Sequence, residues 1–171
     1  RSNYLAKPDS AGRPSAPLVD LAILDDAGTP VAQGQRGEVC IRTICNFLGY
    51  WNRPKATAAC MTADGYFRTG DIGYLDADGY LFIVDRKKDM ILRGGYNVYP
   101  REVEEFLYTH PSIADVQVIG VPDERYGEVP GAVVLLRPLE DGGETLTPKE
   151  LCAFLAEHIA AFKVPQRIWF A

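Results

Sequence analysis

The hydrophobic pattern of this chain changes once, within residues 85–89, and that change limits the fold more than any other feature of the sequence. Before it, short apolar runs alternate with turns that carry Gly and Asp. Residues 18–24 alternate like a half-buried strand and lead into Asp25-Asp26-Ala27-Gly28, with Val31 expected to begin the return strand. Residues 37–43 (GEVCIRT) read as a second strand, 46–52 as an aromatic loop, and 54–61 as a short helix with Pro54 in its first turn. Residues 66–71 end in a turn, Thr69-Gly70-Asp71. Residues 73–75 and 80–85 flank Asp76-Ala77-Asp78-Gly79 as the arms of a hairpin.

After residue 89 the strands are interleaved with helices. Strands are expected at 90–93, 114–121 and 131–137, and helices at 100–109 and 147–162. The last helix has the clearest start: Thr147 as N-cap, Pro148 at its first position and Glu150 three residues on, a capping box. Leu151, Phe154, Leu155, Ile159 and Phe162 then share one face, which makes that face core. Residues 1–17 and 138–144 read as polar connections. The expected fold class is α+β: an antiparallel β-barrel-like subdomain over residues 1–86, then a small α+β domain over residues 87–171.

Composition excludes several functions. A net charge of -5 and a pI near 5.1 argue against nucleic-acid binding, which calls for clustered Lys and Arg on a basic domain. Cys40, Cys45, Cys60 and Cys152 have no CxxC spacing, and with His110 and His158 they suggest neither a metal site nor a disulfide framework. The N-terminus does not resemble a signal peptide, and no apolar run approaches the roughly 18 residues of a membrane span. A cytoplasmic protein with no transmembrane segment is expected.

Two charged residues and a Gly pair can carry ligand chemistry. Asp71 follows Gly70, which lets a ligand approach the backbone, and a carboxylate there can accept hydrogen bonds from two vicinal hydroxyls of a sugar; the other reading is a turn Asp that binds its own backbone. Arg86 follows a strand and can reach a ribose or a phosphate with its planar fork of donors, or pair with Asp85 or Asp89. Gly94 and Gly95 remove the Cβ where something narrow passes the backbone, or form a plain turn before a helix.

These positions fall in three motifs: Phe67-Arg68-Thr69-Gly70-Asp71, then Asp85-Arg86-Lys87-Lys88-Asp89-Met90-Ile91, then Gly94-Gly95-Tyr96-Asn97-Val98-Tyr99-Pro100-Arg101-Glu102-Val103-Glu104. In their order and spacing the chain resembles the adenylate-forming superfamily, most of all its acyl-CoA synthetase branch. Gly12-Arg13-Pro14, Gly37-Glu38-Val39, Gly49-Tyr50-Trp51-Asn52 and Lys163-Val164-Pro165 extend the likeness over nearly the whole chain. The resemblance implies that Asp71 and Arg86 bind the nucleotide and that Lys88 is the hinge of the small domain. It also implies that Gly94, Gly95 and Tyr126 line the tunnel for the pantetheine arm of CoA. Lys163 matches the start of the family's late motif and reads equally as a helix-end cation. Arg93 stands where a small residue often precedes the Gly pair; it either adds a cation for the CoA phosphates or sits in solvent.

The implied parent enzyme uses ATP, Mg2+ and CoA to activate a carboxylic acid, a fatty acid for choice, as acyl-AMP and pass it to CoA. The resemblance places no catalytic residue in this chain, since the family's catalytic lysine is expected after Ala171. The chain then corresponds to a fragment of a larger two-domain enzyme and is expected to be inactive alone. The alternatives are an enzyme that loads a carrier protein and a non-catalytic module that binds a nucleotide or a partner.

Overall fold

The computed structural model describes residues 6–138 and 145–171, which fall into two compact units, Arg1–Lys88 and Asp89–Ala171. The expected connection at 138–144 lies, apart from Pro138, outside the described residues.

In the first unit β1 (Val19–Leu24), β2 (Gly37–Thr43), β3 (Phe67–Leu75) and β4 (Leu81–Arg86) form an antiparallel sheet in that order. Ile23, Leu24, Val39, Cys40, Ile72 and Tyr80 supply its buried side chains. Val31 does not begin a return strand. Its N–H donates to the Ile23 carbonyl at 3.0 Å and Pro30 makes one isolated bridge to Leu24, while β2 is the strand that pairs with β1 along its whole length. Proline has no N–H with which to extend a ladder at that point. The short helix α1 (Pro54–Ala59) starts at its proline. The polar N-terminal stretch is bound to the sheet, with Gly12 bridging Leu81 and Lys7 paired with Asp76 and Asp78.

The predicted turn at Thr69-Gly70-Asp71 lies inside β3. Between the pairs Glu38↔Ile72 and Cys40↔Arg68, β2 advances two residues while β3 advances four, so these three residues form a bulge. Bulges re-aim side chains in this way. The hairpin after it is as expected: the Asp76 carboxylate accepts from the N–H groups of Asp78 and Tyr80, both at 2.9 Å, and Gly79 takes a φ of 78°.

The second unit has strands β5 (Ile91–Arg93), β6 (Tyr96–Val98), β7 (Ile113–Asp123), β8 (Gly127–Leu136) and β9 (Arg167–Phe170). Their order is β6-β5-β8-β7, with β9 parallel to β8. Helix α2 (Pro100–Leu107) buries Pro100, Val103 and Leu107, and α3 (Pro148–Ala156) buries Leu151 and Leu155. Both pack on Val116, Val118, Ala132 and Val134 of the sheet. The capping box of α3 is formed in both directions. The helix stops six residues before the expected 162, yet Ile159 and Phe162 still pack on the same core from the turns beyond it. With one antiparallel sheet, a second sheet that is antiparallel except for β9, and three short helices, the described chain is α+β.

Candidate functional site

Asp71 and Arg86 are cross-strand partners on β3 and β4, and Arg86 Nε lies 3.0 Å from Asp71 Oδ1. Partners in an antiparallel pair face the same side of the sheet, so register alone brings the two together. The bulge sets the carboxylate's position. Within it the Thr69 hydroxyl bridges the Val39 carbonyl and the Asp71 N–H. It donates to Val39 at 2.9 Å and accepts from Asp71 at 3.0 Å. Gly70 takes a φ of 76°, while a Cβ added there would meet nothing within 4 Å, so this glycine answers to backbone conformation. The Asp71 side chain keeps 30% exposure and Arg86 57%, which leaves carboxylate and guanidinium open to a ligand.

Behind this pair, Glu38 is buried, and its Oε2 accepts from Arg68 at 2.7 Å and from Lys87 at 3.1 Å. Lys87 also reaches Asp26 at 2.9 Å. The Asp26 bond is the largest cause that holds the Lys87 ammonium above the usual lysine range, and the same bond holds Asp26 below the usual carboxylate range. Lys88, next in sequence, is exposed in the single 3-10 turn Lys87–Asp89.

In the second unit Gly94 and Gly95 form a two-residue hairpin loop between β5 and β6. Their φ values are 55° and 90°, the double left-handed geometry that matches strand twist and favours a Gly pair. The two glycines differ in what surrounds them. A Cβ on Gly94 would lie 3.0 Å from the ring of Tyr126, and one on Gly95 would meet nothing within 4 Å. Gly94 donates its N–H to the Tyr126 carbonyl at 2.9 Å, and the Asp123 carboxylate fixes the Tyr126 turn by accepting from the N–H groups of Arg125 and Tyr126. Three predicted residues, Gly94, Gly95 and Tyr126, are thus neighbours.

Arg93, read from sequence as a cation for phosphates or a solvated side chain, is half-buried and donates to the carbonyls of Ala161 at 3.2 Å and Phe162 at 2.6 Å. Its guanidinium also lies 5.3 Å from the Tyr126 ring centroid, and Tyr96 stacks on Phe162 at 4.7 Å. Lys163 lies beyond the end of α3 and pairs with Glu102 at 2.6 Å, so it is no helix-end cation. Glu104 accepts from the N–H of Val118, which ties α2 to β7. His110 and His158 pack against Phe154. All four cysteines are free, and burial pushes the Cys40 and Cys152 thiols up. Among the described residues no group of three or more His, Cys, Asp or Glu is arranged to hold a metal ion.

Residues 102–171 match the family described as the AMP-binding enzyme C-terminal domain. Those residues form an AMP-binding enzyme C-terminal domain, and the chain as a whole is similar to adenylate-forming ligases. A 2-succinylbenzoate–CoA ligase of Geobacillus kaustophilus is 45% identical over 166 residues, 97% of this chain and 32% of that protein. A fatty acid–acyl-carrier-protein ligase of Streptomyces coeruleorubidus is 44% identical over 161 residues, 94% of this chain and 30% of that protein. Among solved structures, the o-succinylbenzoate CoA synthetase of Bacillus subtilis in complex with an acyl-adenylate intermediate matches with a TM-score of 0.85 at 32% identity. It covers 99% of this chain and 33% of that one. The chain therefore spans about a third of the length of the relatives it matches.

Three further residues shape the site without a clear signal in the sequence. Glu38 and Lys87 stood inside quoted motifs, but nothing in their spacing shows that one carboxylate would be buried between two cations. Thr69 carried a signal, a hydroxyl beside Gly70 in a strand, and its bridging role follows once the bulge is known. No helix of the described residues is long and apolar enough to cross a membrane.

Proposed function

We propose that the parent protein is an ATP-dependent acyl-CoA synthetase that converts a carboxylic acid, most simply a fatty acid, to acyl-AMP and transfers the acyl group to CoA. The Asp71–Arg86 pair carries this reading. A carboxylate with one oxygen engaged by Arg86 keeps acceptor capacity for the two ribose hydroxyls of a nucleotide, and the guanidinium beside it suits a phosphate or ribose oxygen. Mg2+ would enter with the phosphates of ATP. What the chain's own residues contribute is orientation of the adenosine, a positioning term in a reaction that rests on positioning and charge stabilisation.

The thioester step would use the second unit. The exposed Gly94–Gly95 turn offers backbone without side chains, and Tyr126 against Gly94 offers an aromatic wall, a combination suited to the narrow pantetheine arm. Lys88 would serve as the hinge between the half-reactions, a reading supported by its exposure and by its place as the last residue of the first unit. In this reading residues 1–86 are the terminal β-rich part of a large adenylation domain and 87–171 belong to the small domain. The 171-residue chain is expected not to form acyl-AMP by itself.

The test is AMP release by the complete gene product, across short, medium, long-chain and aromatic acids, with and without CoA. Release that requires both an acid and CoA supports the reading and names the acid. Release that requires a carrier protein instead would favour the second reading, which the likeness to the acyl-carrier-protein ligase motivates. No release with any acid would sink both.

A further inference from the structure

We propose that Glu38 is a positioning residue for the nucleotide site, holding Asp71 and Arg86 in register through Arg68 and Lys87; this rests on the nucleotide reading of that pair. The argument is geometric. Arg68 is the β3 residue at the near edge of the bulge, where the ladder pair with Cys40 precedes the inserted Thr69-Gly70-Asp71. Lys87 immediately follows Arg86. One atom, Glu38 Oε2, accepts from both, at 2.7 Å from Arg68 and 3.1 Å from Lys87. Glu38 itself pairs with Ile72, the residue after Asp71, so it brackets the bulge from the opposite strand.

The Asp71–Arg86 pair is thus flanked in sequence on both strands by members of a second, internal ion cluster. A bulge interrupts the ladder bonds that would otherwise fix a strand's spacing, and the cluster replaces that constraint with two charge-assisted bonds to one buried acceptor. The Glu38 side chain is 6% exposed, so solvent does not substitute for a lost partner. Removing one member of a buried pair leaves the other charge uncompensated, and the bulge becomes the place where the strands can shift. Thr69 holds the inner side of the bulge, bonded to Val39 next to Glu38. Asp26 holds Lys87 from the β1–β2 connection.

The experiment measures ATP–pyrophosphate exchange by the complete enzyme carrying Glu38→Gln, Lys87→Met or Lys87→Arg, with Asp71→Ala as reference, all well below their melting temperatures. Glu38→Gln and Lys87→Met are expected to raise KM for ATP about tenfold, short of the hundredfold that a misplacement of about 1 Å can cost. KM for the acid stays within about twofold, as expected for a group that acts only on the nucleotide. Lys87→Arg restores KM for ATP. Lys87→Met keeps the Glu38–Arg68 bond, so it reports even where Glu38→Gln fails to fold. If folded Lys87→Met lowers only the melting temperature, with Asp71→Ala still raising KM for ATP, the positioning role is overturned and the nucleotide reading stands. If Asp71→Ala leaves KM for ATP unaltered, the nucleotide reading itself fails and the inference falls with it.

Discussion

In the first unit the Asp71 carboxylate is presented by adding residues to a strand, whereas in the second the Gly94–Gly95 backbone is presented by taking side chains away from a turn. Both devices use a left-handed glycine, Gly70 at 76° and Gly94 at 55°, and for different reasons. Gly70 has open space around its missing Cβ; Gly94 has the Tyr126 ring at 3.0 Å. The lesson is that a glycine in a motif reports either a backbone angle or a neighbour. The motif alone does not say which.

The contrast can be broken first at its charged side. Asp71→Ala in the complete enzyme is expected to lower kcat/KM for ATP about a hundredfold, the effect of losing two hydrogen bonds to a charged group at about 1.5 kcal/mol each. An unchanged KM for CoA is expected alongside it, measured in the thioester half-reaction. Equal losses for ATP and CoA would mean that the two units do not divide the labour as proposed.

Gly94→Ala is next. It combines a left-handed alanine, about 1–2 kcal/mol, with overpacking against Tyr126, about 1–3 kcal/mol, read as a shift in urea midpoint of the 171-residue chain. In the double variant with Tyr126→Ala the overpacking part disappears, so the two substitutions are non-additive. Strict additivity would show that Tyr126 is not what Gly94 accommodates.

Gly70→Ala and Gly95→Ala sharpen the comparison from the other direction. Each meets nothing within 4 Å. Each is therefore expected to cost only the conformational part, about 1–2 kcal/mol, and less than Gly94→Ala. A Gly70→Ala cost well above that of Gly95→Ala would reveal a contact at the bulge that open space does not supply.

The smallest effect concerns pH. Asp26 is held below its ordinary value of 3.8 by Lys87, so its contribution is present above that value and lost as pH falls through the depressed one. Lys87 is held above its ordinary value of 10.5, so its contribution is present below that value and lost as pH rises through the raised one. Lys87→Met should flatten both limbs of the stability profile, by a few tenths of a kcal/mol on the Asp26 side, where the carboxylate is largely exposed. Parallel profiles for the two proteins would contradict the pairing.

Much of the fold was legible because it is written locally. Strand β2 matches its expected span, the Asp76–Gly79 hairpin turn forms as read, and Thr147 with Glu150 starts α3. The elements that were not legible depend on distant partners. β6 was read as loop and β9 was not anticipated; each is a short strand that exists by pairing, β6 with β5 and β9 with β8. Strand propensity largely measures such packing, so a short segment carries little of it alone. The end of α3 was overrun because Ile159 and Phe162 keep the helical apolar rhythm while packing from turns.

For the site the division is the same. The sequence alone determined which residue types stand at the candidate site: a carboxylate after Gly70, a guanidinium at the end of β4, a Gly pair before α2, and the motif order that resembles the adenylate-forming ligases. Only the tertiary structure decided how they are held. The bulge that aims Asp71, the burial of Glu38 between Arg68 and Lys87, the capture of Arg93 by the Ala161 and Phe162 carbonyls and the contact of Tyr126 with Gly94 all join residues far apart in the chain. Residue type sets what a side chain can bond, whereas strand register and burial, which no local window contains, set what it does bond.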